Sequence, residues 1–219
     1  MLAALGCVHQ AGAQARATQY TKMAPIEQYL MSRAAEIRLA RSAAPASIAR
    51  KATVLVLGRR GYETAVQGSN GFVCIVGRGW SSAADADYWN PKVRVPMCVN
   101  APAARTYLLR VIKITELALA GRTLTQVNAA MAAAVAHKEL SPMAPGAMCY
   151  MMGKQGYGGD VKPHWPPHLM FFYSHTAPAA WGANLPGSPV FAVADAGEQL
   201  TQFAVPAPSW SDGTAYSQP

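Results

Sequence analysis

The amino-acid sequence predicts an α+β domain with a mainly antiparallel sheet of five to six strands and helices packed on one face. Apolar residues recur at helical spacing in three segments, and short β-branched or apolar runs fall in two groups on either side of the central helices. Runs of strands and runs of helices that follow one another along the chain are typical of this fold class.

The first element is a predicted helix that begins at Pro25. Proline suits the first helical turn, where its missing N–H group would have no partner in any case. The helix is expected to end near Arg41, before a stretch rich in Ser, Ala and Pro. Its apolar stripe, which should pack on the core, consists of Ile26, Leu30, Ala34 and Ile37.

Three strands are predicted next, at residues 53–57, 62–67 and 72–76. The dipeptide Asn70-Gly71 lies between the second and the third strand. Asn-Gly is a strong hairpin signal because both residues tolerate positive φ. We therefore expect the three strands to form an antiparallel meander.

Residues 77–101 are expected to be irregular, because they are rich in Trp, Pro, Asp and Gly. Three aromatic residues of this segment either line a ligand groove or plug the end of the sheet: Trp80, Tyr88 and Trp89.

Two helices and a second group of strands complete the predicted fold. Pro102 opens the first of these helices and Gly121 is placed to end it. Thr123 and Gln126 have the spacing of a capping box at the start of the second helix. The later strands are predicted at about 148–152, 168–173, 190–193 and 200–205.

Length and composition place these elements in a single domain. The chain has 219 residues, of which 51% are hydrophobic, and this is enough for one sizeable core. We assign residues 25–214 to the domain, between a polar lead-in at 16–24 and a tail at 215–219. No transmembrane segment is expected, because no apolar run approaches the roughly 20 residues that a membrane helix needs.

Residues 1–15 have features of the end of an export signal. The first eight residues are apolar, and small residues around Ala13 and Ala15 offer cleavage sites. No Lys or Arg precedes Arg16, so the basic start of a typical signal is missing. We predict a periplasmic or secreted bacterial protein after cleavage of this segment.

Export would leave three cysteines in the mature chain: Cys74, Cys98 and Cys149. An odd number allows at most one internal disulfide and leaves one free thiol. The alternative is three reduced cysteines that pack as small hydrophobic residues. The sequence leaves both arrangements open.

The net charge of +8 is distributed unevenly. Residues 16–122 carry sixteen Lys or Arg against six acidic residues, whereas residues 123–219 carry three against five. A basic N-terminal half is suited to contact with an anionic surface. Because the basic residues are dispersed and form no recognised nucleic-acid-binding motif, no nucleic-acid partner is expected.

The candidate functional site lies in a histidine-rich stretch of the second half. His164, His168 and His175 fall within twelve residues, after a glycine-rich loop. Glycines allow a ligand to approach the backbone and prolines stiffen the loop, so we expect a pocket walled by loop 153–168 and the strand that begins at His168. The predicted ligand-binding residues are Tyr150, Lys154, Tyr157, His164, Trp165 and His168.

Catalysis at this site would require a nucleophile or a metal. Cys149 is the candidate nucleophile, with His168 as its base and Asp160 as the orienting acid, although no family signature surrounds the cysteine. His164 and His168 are the candidate metal ligands, but the prolines around them exclude a helix, so a loop would have to bring them together. A purely structural strand is the third interpretation, and the sequence identifies no cofactor.

Several strings of the sequence resemble a group of uncharacterised exported bacterial proteins. The strings are G-Y-E-T-A-V-Q-G-S-N-G-F-V-C (61–74), G-A-M-C-Y-M-M (146–152), P-H-L-M-F-F (167–172), W-G-A-N-L-P-G-S-P (181–189) and W-S-D-G-T (210–214). The similarity covers about residues 50–214. It implies export and a single domain, and it assigns no functional residue because the group has no established activity.

The sequence therefore favours an exported bacterial ligand-binding or interaction module whose ligand is unidentified. The alternative is a Cys/His or metal-assisted hydrolase centred on residues 149–175. Binding requires only a pocket, whereas catalysis requires a complete constellation of groups, which these residues do not supply.

Overall fold

A computed structural model describes residues 20–81 and 85–217, which form an α+β fold around a mixed, mostly antiparallel sheet of eight strands. The predicted class is confirmed, but the sheet is larger than the five to six strands expected. The predicted signal segment at 1–15 lies outside the described residues. None of the described helices has the length and apolar character needed to cross a bilayer.

The strands lie in the order β2-β1-β3-β4-β5-β6-β8-β7. They are β1 (Thr53–Gly58), β2 (Gly61–Val66), β3 (Val73–Gly77), β4 (Val95–Val99), β5 (Met148–Met151), β6 (His168–Ser174), β7 (Phe191–Asp195) and β8 (Leu200–Pro206). The α-helices are α1 (Arg33–Arg41), α2 (Ala46–Ala49), α3 (Ala101–Ala104), α4 (Tyr107–Leu119) and α5 (Leu124–Ala136). Short 3-10 helices occupy Ile26–Gln28, Gly79–Ser81, Asp85–Asp87 and Pro178–Trp181.

The predicted meander of the first three strands is wrong. β1 pairs with β2 in the antiparallel sense, but β3 lies on the other side of β1 and runs parallel to it. Asn70 stabilises the crossing: its amide donates to the Ile48 carbonyl at 2.8 Å, and its side-chain oxygen accepts from the Phe72 N–H at 3.1 Å. The Asn-Gly pair therefore makes a corner that side-chain hydrogen bonds hold, instead of a hairpin.

The strand β4 falls in the segment that was expected to be irregular. Pro96 in its middle argues against a central strand, because proline lacks the N–H of a ladder bond. β4 pairs with β5 only at Cys98 and Val99, so Pro96 lies beyond the part that has a neighbour on both sides. A proline at that position removes no hydrogen bond to β5.

Two predicted helices are shorter or broken in the structure. The stretch that begins at Pro25 forms a 3-10 turn, and α1 starts only after Ser32, whose hydroxyl accepts from the Ala35 N–H. The helix expected from Pro102 breaks at residues 105–106 into α3 and α4. In contrast, the capping box of Thr123 and Gln126 is present at the start of α5.

Helices cover both faces of the first half of the sheet, so the expectation of one covered face is wrong. Cys74, Val76 and Cys98 belong to a core cluster with residues of α1, whereas Ile75 and Val99 belong to a cluster with residues of α4. The central strands are apolar on both faces, and such strands require cover on both sides.

Cys74 and Cys98 are direct partners on β3 and β4 and form a disulfide, while Cys149 is a free, buried thiol. Of the two arrangements that the sequence left open, the structure has the one with a single disulfide. Trp80, Tyr88 and Trp89 are also buried, in a cluster with residues of α5. These aromatic side chains plug the core and do not line a groove.

Candidate functional site

Most of the predicted ligand-binding residues meet around one small cavity, which we call the loop cavity. It has a volume of about 30 Å³, and its lining includes Lys154, Tyr157, His164, Trp165 and His168. A volume of this size accommodates one or two water molecules, far less than the roughly 300 Å³ of a small-molecule site.

Tyr150 is not among the residues that line the loop cavity. It lies on β5, and its ring packs near that of Phe72 with centroids 6.1 Å apart. Successive residues of a strand point to opposite faces of the sheet. Tyr150 therefore faces away from its neighbour Met151, which does line the loop cavity.

The two histidines of the loop cavity are fixed by backbone carbonyls. The Nδ1 atom of His168 lies 2.7 Å from the Pro166 oxygen, and that of His164 lies 3.2 Å from the Gly156 oxygen. Because a carbonyl oxygen can only accept, Nδ1 carries a hydrogen in both rings. Burial lowers the pKa of His168, which keeps this imidazole neutral near pH 7.

Among the described residues, no third metal ligand joins His164 and His168. Within residues 20–81 and 85–217, no group of three or more His, Cys, Asp or Glu side chains could hold a metal ion. The cationic side chains of Arg94 and Lys154 also line the loop cavity, which disfavours a cation there. His175, the third histidine of the stretch, is not part of its lining and donates its backbone N–H to the Gln199 carbonyl.

The geometry does not favour Cys149 as a nucleophile. Its side chain is buried within the core between β5 and α4, and this burial raises the pKa of the thiol to about 12. The thiol is therefore protonated at neutral pH, whereas the thiolate is the reactive form.

Asp160, the proposed orienting acid, belongs to a hydrogen-bonded clamp that holds the glycine-rich loop. It accepts from the hydroxyl of Tyr20 at 2.6 Å and from that of Tyr157. Burial and the neighbouring carboxylate raise the pKa of Tyr20 to about 12. Asp87, itself buried, accepts from the backbone N–H groups of Asp160 and Val161. These contacts give Asp160 a structural role in the loop.

A larger cavity, which we call the cleft, lies at the other end of β6. His168 begins that strand at the loop cavity, and Ser174 ends it at the cleft. The cleft has a volume of about 420 Å³, which is within the range of small-molecule sites. Its polar lining includes Arg110, Lys138 and Glu198, and its apolar lining includes Val135, Leu140 and Pro142.

Arg110 is an incompletely bonded cation in the wall of the cleft. Its side chain is only 3% exposed, and its Nη1 atom donates to the Ser141 carbonyl at 2.9 Å. Its Nε atom lies 3.4 Å from Oε2 of Glu198 but finds no hydrogen-bond partner in the described part of the chain. A buried donor without an acceptor costs free energy, on the order of 1–3 kcal/mol.

Glu198 is the acidic partner of Arg110. Burial raises the pKa of its carboxyl to about 7, the nearby Asp195 acts in the same direction, and Arg110 opposes them. The carboxyl is therefore about half protonated at neutral pH. Strongly shifted pKa values in a cleft are typical of functional sites.

The backbone around the cleft contains residues in the left-handed region. Among the described residues, four that are not glycine have positive φ, and three of these lie at or beside the cleft. Lys138 and Gln199 line it, and His175 directly follows Ser174. This conformation is unfavourable for side chains larger than glycine, and such residues cluster at functional sites.

The sequence contained no signal for the cleft. Arg110 occupies an ordinary helical position, Glu198 occupies a turn, and they are far apart along the chain. Only the packing of the β7–β8 turn against α4 brings the two side chains together. Taken by residue type alone, Arg110 and Glu198 are each predicted to lie at the surface in contact with water.

Comparisons with known protein families, with curated proteins and with solved structures find no match for this chain. The resemblance to uncharacterised exported proteins therefore stays an expectation. A fold by itself does not specify an activity, so the chemistry of the cleft is the feature that bears on function.

Proposed function

We propose that the chain is an exported bacterial ligand-binding domain whose ligand occupies the cleft. The observation that carries the proposal is a buried guanidinium with an unbonded Nε atom in the wall of a cavity of about 420 Å³. A ligand that accepts a hydrogen bond from Arg110 would remove the cost of that unpaired donor.

The composition of the cleft also supports binding of a small molecule. Ligand sites combine a largely apolar wall with a few polar groups that fix the orientation of the ligand. Here the apolar wall comes from the end of α5 and the segment that follows it, and the polar groups come from four different parts of the chain. The loop cavity, with about 30 Å³, does not offer the volume for such a ligand.

Filling the cleft provides the test of this proposal. Ala136 is exposed and lines the cleft at the end of α5, whereas Ala129 is exposed on the same helix and does not line it. We would titrate the chain with hexanoate, hexanamide and hexylamine and follow backbone amide shifts by NMR. At least one probe should bind to the wild type and to the Ala129→Trp control but not to Ala136→Trp.

Two results would overturn the assignment of the cleft as the ligand site. One is that none of the three probes binds to the wild-type protein. The other is that Ala136→Trp binds a probe as well as Ala129→Trp does.

The disulfide supports the part of the proposal that concerns export. Disulfides form and persist in the periplasm and outside the cell, and they are rare in the cytosol. Cys74 and Cys98 are fully buried, so the bond is protected from exchange with solvent thiols.

Counting thiols would test export together with cleavage of the signal. A mature, oxidised chain without Cys7 should show one reactive thiol after denaturation and three after reduction, since Cys149 is free and the pair 74–98 is bonded. N-terminal sequencing of the same sample should begin after Ala13 or Ala15. A cytosolic protein with an intact Met1 and four reduced cysteines would contradict export.

A further inference from the structure

We propose that the ligand of the cleft is a small organic monocarboxylate with an apolar stem, whose carboxylate binds to Arg110. This inference rests on the proposed function and specifies the chemical class of the ligand. It is carried by the charges, the unbonded donor and the apolar wall of the cleft.

The charges of the cleft favour an anion over a cation. Among the described residues that line the cleft, two are basic, Arg110 and Lys138, and one is acidic, Glu198. The distance from Arg110 Nε to Glu198 Oε2 is 3.4 Å, and no hydrogen bond joins them. A carboxylate in the cleft could accept from the guanidinium of Arg110, because this planar group matches the geometry of a carboxylate.

The apolar wall distinguishes an organic acid from an inorganic anion. Val135, Leu140 and Pro142 line the cleft together with the charged groups, so a ligand that fills it would bury hydrocarbon as well as charge. Phosphate or acetate would leave this wall in contact with water. A short aliphatic or aromatic stem would satisfy both parts of the lining.

Binding of a carboxylate here should take up a proton. The ligand and Glu198 would place two negative charges next to one guanidinium, and protonation of Glu198 relieves their repulsion. The charged groups that act on Glu198 are Arg110 from α4 and Asp195 from β7, and Lys138 borders the same cleft. Because the carboxyl of Glu198 has a pKa of about 7, the proton comes from solvent at neutral and higher pH.

The size of this proton linkage depends on the protonated fraction of Glu198. A ligand that binds only the protonated form has an apparent Kd that increases as the protonated fraction falls. For a pKa of about 7, that fraction decreases roughly tenfold between pH 6 and pH 8. Hexanoate stays ionised over this range, so its own charge does not contribute to the change.

Calorimetric titration of the full mature chain at pH 6 and pH 8 tests the inference. We expect hexanoate to bind at least about tenfold more tightly than the neutral hexanamide at pH 6, by the strength of charge-assisted hydrogen bonds. We also expect its affinity to weaken roughly tenfold at pH 8. In Glu198→Gln the affinity for hexanoate should no longer vary with pH, and Lys138→Gln should weaken hexanoate more than hexanamide.

The outcomes separate this inference from the proposed function. If hexanamide or hexylamine binds as tightly as hexanoate and Ala136→Trp blocks that binding, the cleft is a ligand site but its ligand is not a carboxylate. If hexanoate is preferred but its affinity does not vary between pH 6 and pH 8, the linkage to Glu198 is wrong. If no probe binds, both the inference and the proposed function fail.

Discussion

Two arginine–glutamate pairs among the described residues have a buried arginine, and they are built in different ways. In the first pair, Arg78 Nη2 donates to Glu36 Oε1 at 2.8 Å, and neither side chain has exposed surface. Arg78 also donates to the carbonyls of Tyr29 and Val76. In the second pair, Arg110 and Glu198 are 3.4 Å apart without a hydrogen bond.

The surroundings of the pairs explain this difference. Glu36 and Arg78 connect α1 with the central strands, and Glu36 Oε1 also accepts from the Leu57 N–H of β1. Neither residue lines the loop cavity or the cleft. The second pair joins α4 to a turn and borders open volume. A hydrogen bond joins the two side chains of the first pair directly, although Glu36 Oε2 finds no hydrogen-bond partner in the described part of the chain. The second pair has no hydrogen bond between its members and borders the cleft, and we infer that a ligand completes it.

The largest expected effect is the loss of the first pair. Arg78→Met leaves Glu36 buried without its cation, and breaking a buried pair in this way costs about 3–5 kcal/mol. Urea denaturation at pH 7 should therefore show a large decrease in the free energy of unfolding. The double variant Glu36→Gln/Arg78→Met serves as the control and should recover part of the loss. If the free energy of unfolding of Arg78→Met decreases by less than about 1 kcal/mol, the Arg78–Glu36 pair is not a stronger structural element than the Arg110–Glu198 pair.

A smaller effect is expected from Glu198, and it depends on pH. Its pKa is raised from the usual value of 4.5 to about 7, so between these values the folded chain keeps a proton that the unfolded chain has released. The free energy of unfolding of the wild type should therefore fall as pH rises through this window, by about 2–3 kcal/mol from this residue.

Glu198→Gln should remove this dependence, so that its stability relative to the wild type improves between pH 4.5 and pH 7. Denaturation of both proteins across this range measures the difference. Glu139→Gln is a suitable control, since Glu139 is exposed and its pKa is lowered by Lys113. Parallel pH profiles for wild type and Glu198→Gln would contradict the assignment of Glu198 as a partly buried acid with a raised pKa.

The smallest effect is expected at the loop cavity. His168→Ala removes a buried ring and its 2.7 Å hydrogen bond to the Pro166 carbonyl. In urea denaturation at pH 8 we therefore expect the free energy of unfolding to decrease by about 1 kcal/mol. The difference in free energy of unfolding between wild type and variant should become smaller as pH falls below about 6.5. Burial lowers the pKa of His168, so the histidine takes up a proton at higher pH in the unfolded wild type than in the folded one, and this destabilises the wild type. His164→Ala, at an exposed position, should cost less.

Binding of hexanoate to His168→Ala also tests which of the two cavities holds the ligand. If the cleft is the ligand site, His168→Ala should bind hexanoate as the wild type does. Weaker binding in this variant, with the fold intact, would return the ligand site to the loop cavity.

Local patterns predicted the elements of the fold better than their arrangement. Seven of the eight strands and the capped start of α5 lie within a residue or two of their predicted positions. The break at residues 105–106 and the corner at Asn70 were missed, because propensity does not show which backbone groups find partners elsewhere. Five of the six predicted ligand-binding residues line the loop cavity and Tyr150 does not, but whether they bind a ligand stays a prediction, and the volume of the cavity could not be read from residue types.

The sequence by itself determined the α+β class, most strands and the position of the glycine-rich loop, because periodicity and turn chemistry act over a few neighbouring residues. Only the tertiary structure decided that β3 runs parallel to β1, that Cys74 bonds to Cys98, and that Arg110 meets Glu198 beside a cleft. These features depend on contacts between distant parts of the chain. Burial then changes the chemistry of the groups involved, since removal from water raises the pKa of Glu198 and leaves Arg110 Nε without an acceptor.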